Sequence, residues 1–401
     1  MRRTLTARPE TGCTPPKGED YEFDAGLYNG RFQIVTEAHR QIALSMRRRA
    51  RLRIVNTGSI NQSRDLRNAF TYGERLAMWH GALTDEEREG FVFIGQEDRG
   101  NGKIWASEVQ SKVDDVLEAN GIVPIGLMHP RVMVIGHRKD ASSSYLDDFP
   151  TYDLVEERNI GDNLSASAIR DEMFALSGTS HAEAWFETLK GRVPDGVLPV
   201  LRRFMDDRAY SDLAEEARLA AVRERDWAVR TAPDGPGVPH SVVFNVSMAF
   251  VTQGNSVLLQ RRRSYPGKNL WTLPGGFIGQ HERVMDAALR HTVASTRIDV
   301  SETVLRNALV DDFYEDDPWR SSWGRTIAFV HAFELKPVAV GRTSDERRRS
   351  VALPSLRSGE RDDLGWFTFD QVAQMRDQLF EDGAIVIEKA LQRLTGIKRG
   401  R

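Results

Sequence analysis

At 401 residues the chain is too long for one ordinary core and is expected to form two folded units, and its 40% apolar content is normal for a water-soluble globular protein. The 55 Lys and Arg nearly cancel the 58 Asp and Glu, which argues against a nucleic-acid or anionic-membrane surface. A single cysteine, Cys13, excludes internal disulfides, and no apolar run approaches the roughly 20 residues of a membrane helix, so a cytoplasmic location is expected.

Residues 1–20 are basic, rich in Pro and Gly and lack an apolar stretch, the composition of a disordered leader rather than a secretion signal. From 21 to 190 short apolar runs alternate with amphipathic segments. Leu52 to Val55, Phe91 to Ile94 and Val132 to Ile135 read as buried parallel strands. The spacing of Ile42, Met46 and Ala50, then of Val109, Val113, Val116 and Leu117, predicts helices between them. This β-α-β alternation predicts an α/β domain with a parallel sheet. Such sheets bind ligands beyond the carboxyl ends of their strands, where Gly30 and Gly136 fall. The basic cluster Arg47, Arg48, Arg49, Arg51 and Arg53 reads as a solvated helix end. Residues 191–239 are expected to be a helical segment and a linker, the linker being the Pro/Gly-rich stretch from Thr231 to Pro239. From 240 to 395 the texture is β-rich: Ser241 to Val251, a turn at Gln253-Gly254-Asn255, Val257 to Gln260 and Arg325 to Phe333, with one helix near Glu282 to Ala294. This predicts an α+β domain, with a mobile loop between Lys336 and Asp363.

The stretch from Gly30 to His39 runs from a strand-like segment into a helix. A helix amino terminus offers unpaired N–H groups and partial positive charge, and Thr36 and His39, one turn apart, can reach one phosphate chain from the same face. Downstream, Ser165-Ala166-Ser167-Ala168-Ile169-Arg170 again puts hydroxyls at a helix start, with an arginine able to fork onto phosphate oxygens. The bland alternative is that Thr36 only caps its helix and His39 is an ordinary surface histidine.

Gly30-Arg31-Phe32-Gln33-Ile34-Val35-Thr36-Glu37-Ala38-His39 resembles the Gly-Arg-Phe-Gln-Pro-x-His-x-Gly-His signature of bifunctional nicotinamide mononucleotide (NMN) adenylyltransferase/Nudix proteins. Asn68-Ala69-Phe70-Thr71 followed by Glu74-Arg75 is similar to that family's Asn-Pro-Phe-Thr segment and Glu-Arg helix. Gly136-His137-Arg138-Lys139-Asp140-Ala141-Ser142-Ser143 resembles its phosphate-side loop, and Ser165 to Arg170 its Ser-x-Ser/Thr-x-x-Arg element. Ile34, Thr36 and Ala38 depart from the signature's proline, first histidine and glycine. A methyl group at Ala38 is expected to crowd a nucleotide that approaches the backbone.

The resemblance implies a Rossmann-like nucleotidyltransferase domain followed by a Nudix fold, with the first domain transferring AMP from ATP to NMN to give NAD and pyrophosphate. It implies catalytic roles for Thr36, His39, Ser165 and Arg170. Substrate contacts are expected from Gly30, Arg31, Phe32, Gln33, Arg67, Trp105, Gly136, His137, Arg138, Lys139, Asp140 and Ser167. Mg²⁺ is expected to travel with ATP, held mainly by phosphates and water. Partners are then ATP and NMN, with a homo-oligomeric assembly and neither nucleic acid nor membrane.

Leu273-Pro274-Gly275-Gly276-Phe277-Ile278, with Glu282 and Arg290, resembles a Nudix box, G-x5-E-x7-R-E-U-x-E-E-x-G-U. Gly276, Glu282 and Arg290 keep the spacing, but His291, Thr292, Val293, Ala294 and Ser295 stand where the carboxylate-bearing stretch should follow, and Arg297 replaces the glycine. Mg²⁺ in a diphosphate-hydrolysing site needs several hard oxygen ligands, so hydrolysis is expected to be lost and Glu282 to pair with Arg290. The acidic run Asp311, Asp312, Glu315, Asp316 and Asp317 reads as a solvated loop. Trp271, Phe313, Tyr314, Trp323 and Arg325 are expected to leave a surface on which a nucleobase stacks. The rival functional readings are a non-catalytic NAD or ADP-ribose sensor, and adenylyl transfer to a different mononucleotide.

Overall fold

A computed structural model describes residues 21–99, 101–124, 129–136, 148–157, 165–231, 243–296, 298, 300–322, 324–336, 338–339, 351–352 and 363–399. The expected leader, most of the linker and the His137 to Ser143 loop lie outside these residues. The chain divides into two compact units, Met1–Ala221 and Val222–Arg401.

In the first unit, β1 (Phe23–Gly30), β2 (Ala50–Thr57), β3 (Phe91–Gly95), β4 (Val132–Gly136) and β5 (Asp153–Glu156) form one all-parallel sheet in the order β3-β2-β1-β4-β5. Successive side chains on a strand point to opposite faces, so each apolar run feeds two cores. Tyr28, Val55, Phe93 and Ile135 pack on one face with helices α1 (Glu37–Ser45), α2 (Tyr72–Ala82) and α5 (Ala166–Ala175). Leu27, Ile54, Ile94 and Val134 pack on the other, against Val109, Val113 and Val116 of α4 (Gly102–Ala119). The strand order reverses between β1 and β4, whose carboxyl ends are Gly30 and Gly136. That crevice is where open α/β sheets hold ligands.

One sequence expectation is corrected here. Arg51 and Arg53 lie on β2, not on a helix end. Arg53 is buried and donates to the backbone carbonyls of Glu89 and Arg47, which gives its charged head partners in the interior.

The helical region after Ala182 contains α6 (Ala182–Thr188), α7 (Leu198–Met205) and α8 (Arg208–Thr231). A short 3-10 turn, Asp195–Val197, packs on α2 backbone to backbone at Gly81 and Gly196. A β-carbon at Gly81 would lie 2.2 Å from the Gly196 carbonyl oxygen, so the two segments would have to separate. Gly81→Ala should therefore destabilise the chain by about 1–3 kcal/mol in urea denaturation. An unchanged midpoint would contradict this packing.

The second unit has a mixed sheet in the order β10-β11-β6-β7-β14, from β10 (Leu309–Glu315), β11 (Thr326–Leu335), β6 (Phe244–Gln253), β7 (Ser256–Arg261) and β14 (Leu364–Thr368). Strands β8 (Trp271–Thr272) and β9 (Gly275–Phe277) pair with β7 and β6. Helix α9 (Val284–Thr296) buries Leu289 on one face of the sheet against Ala249, Val251 and Phe333. Helix Gly383–Arg399 covers the other, with Val386, Ile387 and Ala390 against Phe250 and Val330. The acidic run begins on strand β10 rather than in a loop: Asp311 pairs with Arg393 at 2.5 Å and Glu315 with Lys389 at 2.7 Å. The expected loop between Lys336 and Asp363 is described only in part, and Val338–Ala339 pairs there with Val351–Ala352.

His331 on β11 is 3% exposed, and burial pushes its pKa below the ordinary value against the pull of Asp312. The folded chain thus holds the neutral ring, while the unfolded chain takes up a proton near pH 6.5. Its contribution to stability is present above that pH and lost as the pH falls below it. Acidification from pH 7.5 to 5.5 should lower the unfolding midpoint more in the parent than in His331→Phe. Parallel curves would refute this.

Candidate active site

The loop between β1 and α1 is shaped by one buried ring. Phe32 adopts a φ of +47°, an unusual conformation for a bulky residue. Its ring lies against Gly30, where a β-carbon would come within 2.6 Å of it, so glycine is required there. The same ring meets Tyr28 and Trp79 at 5.0 Å and touches His39 edge-on at 5.4 Å. Phe32 was expected at the substrate, yet it is 4% exposed and acts as a support beneath His39. Gln33 is buried too: its Oε1 accepts from the Phe70 amide at 2.8 Å, which ties this loop to the Asn68-Ala69-Phe70-Thr71 segment.

At the start of α1, Thr36 and His39 form a reciprocal cap. Thr36 Oγ1 accepts from the His39 amide at 3.4 Å, and His39 Nδ1 accepts from the Thr36 amide at 3.1 Å. An amide can only donate, so Nδ1 of the neutral ring is unprotonated and the proton sits on Nε2. Thr36 is wholly buried in this cap. In this cap it orients the His39 ring.

Arg75 holds the surrounding loops together. It is 1% exposed, and its guanidinium donates to the carbonyls of Arg31 at 2.8 Å, Gly58 at 2.7 Å, Ser59 at 3.3 Å and Thr71 at 3.3 Å. Burial pulls its pKa down to about 10, opposed by Asp98 and Tyr72, so it stays charged at neutral pH. Asp98, just beyond β3, accepts from Ser59 Oγ at 3.0 Å and Gln62 Nε2 at 3.0 Å. Arg64 forks onto Glu74 with two bonds of 2.8 Å. Burial works against the Glu74 charge, yet the Arg64 and Thr71 hydrogen bonds hold its pKa below the ordinary carboxylate range. Asp65 accepts from the amides of Arg67 and Asn68 and fixes the turn that presents Arg67. The sequence reading quoted Glu74-Arg75 only as a motif and passed over Asp98 and Arg64. The available sign was the charged pair Glu74-Arg75 beginning three residues after Thr71, whose capping role the Thr-x-x-Glu spacing announces.

Helix α5 begins at Ser165, whose Oγ accepts from the Ala168 amide at 3.3 Å. Ser167 is exposed on its first turn. Arg170 is 8% exposed, its Nε is buried without a partner, and it makes no hydrogen bond among the described residues. Burial lowers its pKa; Asp171 and Asp65 raise it, and Arg31 and Arg67 lower it. Arg31 from the β1–α1 loop and Arg67 from the β2–α2 segment thus lie near enough to Arg170 of α5 to act on its charge, as do Asp171 and Asp65. Arginines so placed favour a multivalent anion. Gly136 ends β4 on this side, while His137, Arg138, Lys139 and Asp140 lie outside the described residues. Trp105 packs half-buried against Phe149 at 5.8 Å.

In the second unit Arg290 forks onto Glu282 at 2.6 and 2.7 Å, and this pair, with the Gly279 amide, brings the Glu282 pKa down to about 2. His291 occupies the first catalytic carboxylate position, with its ring over Gly276 and Nε2 3.0 Å from the Phe277 carbonyl. Among the described residues no group of three His, Cys, Asp or Glu side chains is placed to hold a metal ion. The expected stacking surface is only partly present. Trp271 is buried against Phe367 and under Arg261, and Phe313 lies beneath Arg393. Tyr314 is exposed, and Trp323 lies outside the described residues.

An all-parallel sheet with arginines and a capped histidine at its switch point defines a nucleotidyltransferase-type domain. Residues 27–172 match the family model described as Cytidylyltransferase-like, and residues 243–389 match the NUDIX domain. The chain is 28% identical over 200 residues to the nicotinamide/nicotinic acid mononucleotide adenylyltransferase of Acinetobacter baylyi, covering 49% of this chain and 95% of that protein. It is 30% identical to the nicotinamide-nucleotide adenylyltransferase of Methanocorpusculum labreanum, covering 40% of this chain and 83% of the relative. The crystal structure of a bifunctional NMN adenylyltransferase/ADP ribose pyrophosphatase from Francisella tularensis superposes with a TM-score of 0.74 at 22% identity, over 92% of this chain and 99% of that one. The chain belongs to the nicotinamide-nucleotide adenylyltransferase family and carries a NUDIX domain after the transferase domain.

Arg75→Lys keeps the charge but cannot fork to several carbonyls at once, so it should cost about 3 kcal/mol in urea denaturation. A loss under about 0.5 kcal/mol would show that the clamp does not hold the loops.

Proposed function

We propose that the first unit, residues 21–190, transfers AMP from ATP to NMN, yielding NAD and pyrophosphate in the cytoplasm as a homo-oligomer. The observation that carries this reading is Arg170 on α5, buried with no side-chain hydrogen bond among the described residues and near enough to Arg31 and Arg67 to feel their charge. The NMN 5′-phosphate oxygen attacks the α-phosphorus of ATP in line. An O–P bond forms, the bond to the bridging oxygen breaks, and pyrophosphate leaves with its electron pair. No proton has to be removed from the nucleophile, so the protein's task is to align two anions and neutralise developing charge.

In this reading His39 donates through Nε2 to a phosphate oxygen, with Thr36 setting its tautomer, and Arg170, Arg31 and Arg67 offset the negative charge. Ser165 sets the start of the helix that carries Arg170. These cationic side chains cannot ligate magnesium, so the ion would arrive on ATP, held by phosphates and water and offsetting their charge there. The nicotinamide-nucleotide activities printed in the names of the Acinetobacter and Methanocorpusculum relatives support the choice of NMN.

The NUDIX domain, residues 240–395, has on this reading lost diphosphate hydrolysis. Its Glu282 is taken up by Arg290, and Ala294 and Ser295 replace two carboxylates of the metal-binding helix face. Incubated with NMN and MgATP, the purified chain should form NAD and pyrophosphate, with kcat/KM falling at least ~100-fold in His39→Ala and in Arg170→Ala. ADP-ribose with Mg²⁺ should release no AMP. Absence of NAD, or variants as active as the parent, would overturn the transferase reading, and AMP release would overturn the loss of hydrolysis.

A further inference from the structure

The segment after α6 touches both α1 and α5 through one residue, Arg192. Its carbonyl accepts from the amide of Glu37, the first residue of α1, at 2.9 Å. Its guanidinium forks onto Glu172 of α5 with bonds of 2.8 and 3.1 Å. We infer that Arg192 is a positioning residue: it ties α1 to α5 and thereby fixes His39 relative to Arg170 for the ATP phosphates. This rests on the proposed transferase reading, in which those two side chains meet one nucleotide.

The path from His39 to Arg170 through this tie has only two joints. Glu37 stands two residues before His39 and Glu172 two residues after Arg170, each step being about 3 Å along its helix axis. Between them lies a single residue, with its backbone on one helix and its planar fork on the other. A two-point fork fixes orientation as well as distance, which a single ammonium contact does not.

Both ends of the tie are themselves held. Trp185, 7% exposed, donates from Nε1 to the same Glu172 carboxylate at 3.0 Å. Leu189 and Val193, which flank Arg192, are buried in one core with Ile42 of α1 and Met173 of α5. The Arg192 hydrogen bonds hold the Glu172 carboxyl below the ordinary carboxylate range against burial, and Trp185 adds to the effect. On α1 the amides of Glu37 and His39, two of the orphan donors of a helix start, go to Arg192 and Thr36. More of the task of meeting a phosphate therefore falls to the His39 ring, whose place depends on how this first turn is tied. In-line displacement is sensitive to such placement, a shift of about 1 Å costing on the order of 100-fold in rate. The Arg192 and Glu172 side chains are 27% and 41% exposed, and an ion pair so placed adds little to stability, so its loss should disturb alignment more than folding.

The test is steady-state kinetics of NAD formation by the full chain. Arg192→Ala should raise KM for ATP about fivefold and lower kcat about tenfold. Arg192→Lys, with one contact in place of the fork, should fall between that variant and the parent. Glu172→Ala added to Arg192→Ala should change either constant by less than about twofold, because the bond it removes is already gone. An unfolded fraction lowers kcat alone, so the KM shift separates alignment from stability. Arg202→Ala, which breaks the exposed pair with Glu183 in the same helical region, should leave both constants unchanged. Variants with the parent's constants, a lower kcat at unchanged KM, or effects of the two substitutions that multiply overturn the inference. A parent chain that forms no NAD overturns the transferase reading along with it, whereas a parent that forms NAD beside indifferent variants overturns the tie alone.

Discussion

The first unit depends on one buried cation. Arg75 reaches the carbonyls of Arg31, Gly58 and Ser59, which belong to the loops leaving β1 and β2, and also that of Thr71 at the start of its own helix. Loops at the carboxyl edge of a parallel sheet have carbonyls that no ladder satisfies, and burying them unpaired would cost about 1–3 kcal/mol each. A planar guanidinium answers several at once, which an ammonium cannot. The site follows from this clamp. Arg31 is held by its backbone while its side chain stays exposed, and Phe32, the next residue, turns its ring under His39.

Two kinds of interaction then do separate jobs. Buried polar bonds, namely Gln33 to Phe70, Asp65 to Arg67 and Asp98 to Ser59, set where the loops go. Arg31 is exposed, and the buried Arg170 makes no side-chain hydrogen bond among the described residues; the proposed function assigns these two, with His39, to the ligand. Arg170 illustrates the tension: burial and two neighbouring arginines disfavour its charge, and only Asp171 and Asp65 oppose them. On the proposed function, a bound triphosphate would relieve that repulsion.

The sequence showed the strands and helices of both units because parallel strands read as unbroken apolar runs, and the observed β2, β3 and β4 contain the expected Leu52 to Val55, Phe91 to Ile94 and Val132 to Ile135. It did not show which motif residues point outward. Phe32 and Gln33 sit within a signature that reads as substrate contact, and only a positive φ and a long-range hydrogen bond reveal them as supports. Arg53 misled for a related reason: five arginines in seven residues look solvated until the strand register puts one of them in the interior. In the second unit the Nudix pattern located the Gly276, Glu282 and Arg290 spacing, and the structure pairs the last two.

The central claim is that the capped histidine on α1 and the buried arginine on α5 grip one nucleotide. The most direct measurement is a crystal structure of the chain with a non-hydrolysable ATP analogue. The account predicts phosphate oxygens within about 3.2 Å of both His39 Nε2 and the Arg170 guanidinium. A nucleotide bound elsewhere, or the two side chains opening onto separate cavities, would contradict it.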